Sequence, residues 1–272
     1  MDVQREQISA FKKTIWRYFK KNKRDLPWRR TTDPYRIVVS EVMLQQTQVA
    51  RVIQKYTEFI KIFPSFKSLA LASNSKVLRL WQGMGYNHRA LYLKALSRII
   101  TKKHKGRLPD DLQILIQLPS IGKTTGGSIA AFVYNKPTVF IETNIRRVFI
   151  HFFFNDKKNI HDGDLLPLVE KTLDKNRPRE WYWALMDYGA MLAKKIPNPN
   201  RNSIHYARQS PFNGSIRQIR GAVLRFVLLK KRVTRKDLSD GLIYEKNKII
   251  AVLHDLVKEG FLVKTSGSYR VQ

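Results

Sequence analysis

Cysteine is absent from the 272-residue sequence. Without a thiol there is no disulfide, no thiolate zinc site, no cysteine nucleophile and no Cys-ligated iron–sulfur cluster. Acidic residues are scarce as well: 21 Asp and Glu stand against 51 Lys and Arg, a formal charge of +30. The excess spares no part of the chain, with 36 basic against 16 acidic residues in 1–200 and 15 against 5 in 201–272. Self-repulsion of that size is matched by a polyanionic partner, nucleic acid first and an acidic membrane surface second. Long apolar runs are missing too. The longest, Val148 to Phe154 and Val223 to Leu229, fall far short of the roughly 20 residues a spanning helix needs. The expectation is a soluble, intracellular chain of the cytoplasm or nucleoid, monomeric and without membrane contact.

Strand-like alternation is nearly absent from Gln4 to about Pro199. Apolar residues there recur at three- and four-residue spacing, as in Ile8, Phe11, Ile15, Trp16 and Phe19, or Val49, Val52, Ile53, Tyr56 and Ile60. Breakers at Asp25-Leu-Pro-Trp, Thr32-Asp-Pro, Phe63-Pro-Ser, Gly83-Met-Gly, Leu118-Pro-Ser-Ile-Gly, Asn135-Lys-Pro and Asn176-Arg-Pro separate helix-length segments. About ten helices follow, a helical domain over 1–196. Pro197-Asn-Pro-Asn-Arg-Asn-Ser opens a stretch poor in aliphatic residues, read as a linker or surface strap over 197–214. Residues 215–272 form a second domain, with helices at about 216–230, 234–240 and 245–259 and then a β-hairpin. A winged helix has that order. The fold class is therefore mainly α, with a small winged-helix-like domain at the C-terminal side.

With so few acids, those in apolar surroundings carry most information, because desolvation tunes a carboxyl group for proton transfer. Glu41 interrupts Ile37-Val-Val-Ser-Glu-Val-Met-Leu, Glu142 follows Thr138-Val-Phe-Ile, and Asp187 sits in Ala184-Leu-Met-Asp-Tyr-Gly. Each has a plain alternative as a helix cap or an arginine partner, and Glu142 in particular as an anion at a positive helix end. Leu118-Pro-Ser-Ile-Gly-Lys-Thr-Thr is a tight turn between two helices whose backbone N–H groups suit a phosphate, with Lys123 beside them.

These segments resemble the helix–hairpin–helix DNA glycosylases, and among them the adenine DNA glycosylases of the MutY type. The resemblance runs from about Lys20 to Lys194, through Arg24-Asp-Leu-Pro-Trp-Arg, Ser40-Glu-Val-Met-Leu-Gln-Gln-Thr-Gln, Leu80-Trp-Gln-Gly-Met-Gly-Tyr, the Leu118 hairpin, Asn144-Ile-Arg-Arg-Val and Ala184-Leu-Met-Asp-Tyr-Gly-Ala-Met. It implies a two-lobed helical fold and a base-excision enzyme that flips a nucleotide and hydrolyses its N-glycosidic bond. Glu41 falls on the family's general acid and Glu142 on its catalytic aspartate, with Asn144 beside it. Arg24, Trp28, Leu44 and Trp183 fall on the base pocket. Gln46 and Tyr86 fall on the residues that wedge into the stack, Gln45 on a further DNA-binding position, and Leu118, Ser120, Ile121, Gly122, Lys123 and Thr125 on the hairpin that holds the backbone. Thr124 stands where bifunctional relatives carry a Schiff-base lysine, which implies hydrolysis without a lyase step.

Departures accompany the match. Glu142 is one methylene longer than the family's aspartate, Trp183 replaces a Gln or Glu that hydrogen-bonds adenine, and Asn87 replaces a tyrosine. Ala193 stands where the first of four cluster cysteines falls, so the resemblance is to a clusterless branch with no metal and no cofactor. The implied activity is monofunctional removal of adenine opposite 8-oxoguanine or guanine from double-stranded DNA. One alternative keeps the fold and takes another mispaired or damaged base such as thymine or uracil. The other is a non-catalytic winged-helix DNA-binding protein.

Overall fold

The structure, a computed structural model, describes residues 2–155 and 157–272. Its helices are α1 (Asp2–Asn22), α2 (Pro34–Leu44), α3 (Val49–Ile62), α4 (Phe66–Leu71), α5 (Asn74–Trp81), α6 (His88–Lys103), α7 (Leu112–Leu115), α8 (Lys123–Tyr134), α9 (Thr143–Phe153), α10 (Asp162–Thr172), α11 (Pro178–Lys195), α12 (Ile216–Lys230), α13 (Arg235–Gly241) and α14 (Lys246–Lys258). Three short strands, β1 (Val233–Thr234), β2 (Leu262–Thr265) and β3 (Ser268–Val271), form an antiparallel sheet in the order β1-β3-β2. Short polar side chains fix many of the helix starts. Ser65, Ser73, Asp111, Ser215 and Thr234 each accept a backbone N–H from the first turn of α4, α5, α7, α12 and α13. Among the described residues no helix is long and apolar enough to cross a membrane.

The chain forms two compact units that do not follow its order. Residues 1–42 and 108–208 make one, residues 43–107 and 209–272 the other. The helical stretch 1–196 is thus shared between them, and the boundary falls within α2, between Val42 and Met43. Hydropathy does not reveal this, because α2 is apolar across the boundary.

The first unit is built on α1, α9 and α11. Phe11 meets Phe149, Phe152 and Phe153 at ring separations of 5.3, 5.0 and 5.1 Å, and Trp16 meets Trp181 at 5.5 Å. Helices α9 and α11 cross closely because Gly189 has no side chain: a Cβ there would lie 2.5 Å from the Asn144 carbonyl oxygen. Residues 200–204 of the strap pack back on this unit. Asn202 O accepts from Ile160 N at 2.9 Å, Ile160 and Ser203 form a parallel bridge, and Asn200, buried, donates from Nδ2 to Thr143 O at 3.0 Å.

The second unit has two parts. Phe59, Phe63, Leu69, Leu78, Trp81, Leu93 and Leu96 pack α3 to α6 together, while Val223, Val227, Leu253, Leu256 and Phe261 pack α12, α14 and the sheet. The three helices and hairpin fall within a residue or two of their expected positions, with β1 added. Arg79 donates to Leu228 O, joining the end of α5 to α12.

Buried Arg89 ties two loops of the second unit to each other. Its guanidinium donates to the carbonyls of Met43 (3.1 Å), Gln45, Met84 (3.1 Å) and Gly85 (3.1 Å) and to Thr47 Oγ1 (2.9 Å). Those loops carry Gln46 and Tyr86 in the left-handed region, at φ 52° and 44°. Such a conformation costs a non-glycine residue roughly 1–2 kcal/mol and persists only where the surroundings fix it.

Two substitutions probe these supports by urea denaturation. Gly189→Ala forces α9 and α11 apart and costs about 1–3 kcal/mol; an unchanged midpoint would contradict the close crossing. Arg89→Leu leaves several buried carbonyls without their donor and costs about 3 kcal/mol; a neutral result would remove Arg89 as the tie between the loops.

Candidate active site

Glu41, Ser128, Glu142, Arg29, Asp187 and Trp183 all belong to the first unit, from the turn Pro27–Arg29 and from α2, α8, the start of α9 and α11. Glu41 is half-buried, while its neighbours Val38, Val39, Val42 and Met43 are fully enclosed. Burial pushes its carboxyl group up to about 7, and the negative charge of Glu142 adds to the rise. A hydrogen bond from Ser128 and the charge of Arg29 oppose it. The Ser128 Oγ to Glu41 Oε2 distance is 2.6 Å. A carboxyl group in that range is a proton donor and acceptor near neutrality.

Glu142 is the N-cap of α9. Its Oε1 accepts from Asn144 N at 2.8 Å and Ile145 N at 2.9 Å, and its Oε2 from Asn144 Nδ2 at 3.2 Å. Burial raises its pKa, whereas the two backbone bonds and the charge of Arg147 pull it down. The cap alternative from the sequence is therefore literally present, and it also fixes an anion at the positive end of α9. The longer side chain folds back on its own helix start. Asn144 is held in turn: its Oδ1 accepts from Arg147 NH1 at 2.7 Å, and the same Arg147 reaches Gly189 O at 2.9 Å and, through Nε, Asn198 Oδ1 at 3.2 Å.

Asp187 is 2% exposed and fully engaged. It accepts from Arg29 NH1 and NH2 at 2.8 and 2.9 Å, from Arg24 Nε at 2.5 Å and from Arg24 N at 3.0 Å. This acid is an arginine partner, the plainer of its two sequence readings. It anchors the segment that bears Trp28, buried, and Arg24, half-buried. Trp183 lies buried with the Arg29 guanidinium 5.3 Å from its ring centre, Lys23 Nζ at 5.7 Å and the Phe132 ring at 6.1 Å. An indole has no acceptor, so this wall offers a face and one N–H.

The hairpin joins α7 to α8 in the same unit. Leu118 and Ile121 are buried and anchor the turn. Ser120 takes φ 68°, a position suited to glycine, and Gly122 begins α8 without a side-chain cap. Lys123 and Thr124 are exposed and Thr125 half-buried; Thr124 Oγ1 donates to Ile141 O at 3.3 Å, linking the start of α8 to the strand-like lead into Glu142. Leu44, Gln45, Gln46 and Tyr86 belong to the second unit, where Gln46 is exposed and the other three half-buried.

Sequence reasoning missed Ser128, Arg29, Arg147, Asn198 and Arg89. For Ser128 a signal was available: it is the one polar residue in the run Gly126–Val133 of α8, whereas α6 mixes polar and apolar residues and buries Lys94 and Ser97 beside Arg89. Asn198 carried none, being one amide in a polar strap.

The model of the HhH-GPD superfamily base excision DNA repair proteins matches residues 39–166, a span that includes Glu41, the hairpin, Ser128 and Glu142. The adenine DNA glycosylase of Buchnera aphidicola subsp. Baizongia pistaciae is 36% identical over 184 residues, 66% of this chain and 51% of that one. The thymine/uracil-DNA glycosylase of Methanothermobacter thermautotrophicus is 27% identical over 194 residues, 70% of this chain and 88% of that one. A solved thermostable thymine-DNA glycosylase shares the fold, with a TM-score of 0.64 at 24% identity over 72% of this chain and 92% of that one. The chain spans about half the length of the Buchnera adenine DNA glycosylases it matches. The family match thus rests on residues 39–166, the segment that holds the buried-run acid Glu41 and the N-cap Glu142.

Proposed function

We propose that this protein is a monofunctional DNA glycosylase that removes a mispaired adenine, opposite 8-oxoguanine or guanine, from double-stranded DNA. The observation that carries the reading is the carboxyl pair of the first unit: Glu41, raised to about 7 by burial, and the half-buried, helix-capping Glu142, whose charge acts on it. Cleavage of an N-glycosidic bond needs a proton for the departing base and a negative charge for the oxocarbenium-like sugar, and two carboxyl groups in different environments supply both. Glu41 protonates the base and then takes a proton from the attacking water. Glu142, held by two backbone N–H groups, stays ionised and faces the developing cation. The relatives named adenine DNA glycosylase support adenine as the base.

Support for duplex binding comes from the charge of +30, the head of α8 that begins at Gly122 beside Lys123, and the left-handed loops that carry Gln46 and Tyr86. The residues favour work without a cluster: the sequence has no cysteine, and residues 198–203 are fixed by amide hydrogen bonds to Arg147, Thr143 and Ile160. Thr124 in place of a lysine favours hydrolysis without a covalent imine. A second reading keeps this chemistry and changes the base to thymine or uracil. It draws on Trp183, whose indole lacks an acceptor for the adenine amino group, and on the thymine/uracil relative. Duplexes with adenine, thymine or uracil opposite guanine, and adenine opposite 8-oxoguanine, separate the two.

Under single-turnover conditions Glu41→Gln abolishes base release and leaves duplex affinity within about twofold, because an amide fills the space but delivers no proton. Glu142→Gln lowers the rate by about a hundredfold or more. Wild-type rate against pH is bell-shaped. It falls above about pH 7, as Glu41 ionises, and falls again in acid, as Glu142 is protonated above the usual carboxylate range. A rate that keeps rising through pH 8 removes Glu41 from the proton-donor role. Activity also survives prolonged chelation; loss on chelation, with recovery on adding iron, would overturn the cluster-free reading.

A further inference from the structure

Ser128 is the one polar side chain in the enclosed run Gly126–Val133 of α8, and it is 3% exposed. Its Oγ lies 2.6 Å from Glu41 Oε2 and 2.9 Å from the Thr125 carbonyl oxygen. A hydroxyl has a single proton and both neighbours accept, so the two contacts compete whenever Glu41 carries no proton on Oε2. The shorter contact matches a charge-assisted O–H to carboxylate bond. Glu41 Oε1 accepts no hydrogen bond among the described residues, so the two oxygens of this carboxyl group are unlike.

We propose that Ser128 is a positioning residue for Glu41, donating to Oε2 both before and after proton transfer and so confining the transferable proton to Oε1. This rests on the reading of Glu41 as the proton donor. Were the proton on Oε2 instead, it would point at Ser128, and the carboxyl group would have to turn before it could deliver. With Ser128 donating throughout, one side-chain arrangement serves both the acid and the carboxylate, and no dipole reorients as the proton leaves. The other charged groups around Glu41 are Glu142 at the start of α9, with Arg147 behind it, and Arg29 of the Pro27–Arg29 turn, engaged by Asp187 of α11. None of these touches either oxygen of Glu41 by hydrogen bond among the described residues.

The test compares wild type, Ser128→Ala and Ser128→Thr by two readouts: the carbon-13 NMR titration of the Glu41 carboxyl group, assigned with Glu41→Gln, and single-turnover base release against pH. The lost bond favours the ionised form, so in Ser128→Ala the titration moves above its wild-type value, the alkaline limb of the rate follows it, and the rate on the plateau falls about tenfold. Duplex affinity is unchanged, and Ser128→Thr restores titration and rate. A titration that stays put or moves down in Ser128→Ala overturns the proposal, as does a shifted titration with an unchanged plateau rate or a Ser128→Thr enzyme as slow as Ser128→Ala. If Ser128→Ala does not fold, Ser128→Cys, a weak donor of similar shape, carries the same readouts. A wild-type protein that releases no base from any duplex defeats the glycosylase reading instead, and the NMR titration still judges the Ser128 bond.

Discussion

The chemistry of the first unit depends on where the positive charge of Arg29 goes. A guanidinium favours the ionised form of a carboxyl group it faces. Asp187 engages the charge of Arg29 by accepting from both of its terminal nitrogens at 2.8 and 2.9 Å, and Arg29 ranks last among the influences on Glu41, behind burial, Ser128 and Glu142. Both partners are enclosed, at 4% and 1% side-chain exposure, so removal of either strands a buried charge at a cost of about 3–5 kcal/mol. The same acid holds Arg24 by backbone and side chain. One carboxylate thus fixes the segment before α2 and engages the guanidinium whose charge acts on Glu41.

Burial raises Glu142 as it raises Glu41, but Glu142 meets more opposition. Two backbone N–H groups and the head of α9 favour its ionised form, and Arg147 connects its Asn144 partner to α11 and to the strap. The divergence between the two acids is therefore structural: one rests among valines with a single hydroxyl, the other in a ring of donors. The polar strap bears on this as well. Its Asn198 and Asn200 hold Arg147 and Thr143 around the start of α9, doing by amide hydrogen bonds what an apolar segment would do by burial.

Much of the helical layout was legible because its punctuation is local. Ser65, Ser73, Asp111, Ser215 and Thr234 stop or start helices through bonds within three residues of themselves. Glu41 and Glu142 were legible as acids in apolar runs, since burial acts through immediate neighbours on the same segment. The exchange of chain between the two units was not, because it depends on contacts far apart in sequence while α2 reads as one apolar helix. Nor were the partners of Glu41: Ser128 is 87 residues away and Arg29 is held by Asp187, 158 residues on. The strap's packing against α9 was illegible for a related reason, as Asn198, Asn200 and Asn202 act through amide and backbone bonds that hydropathy does not register.

The central claim is that a protonated Glu41 and an ionised Glu142 together match a departing base and a cationic sugar. Its most direct measurement compares duplex affinity for two sugar analogues at the target position, a cationic pyrrolidine and a neutral tetrahydrofuran of the same size, in wild type and Glu142→Gln at fixed salt. The account predicts that wild type prefers the cation by about a hundredfold or more and that Glu142→Gln loses that preference while binding the neutral analogue as before. Equal affinity of the wild-type protein for the two analogues would contradict it.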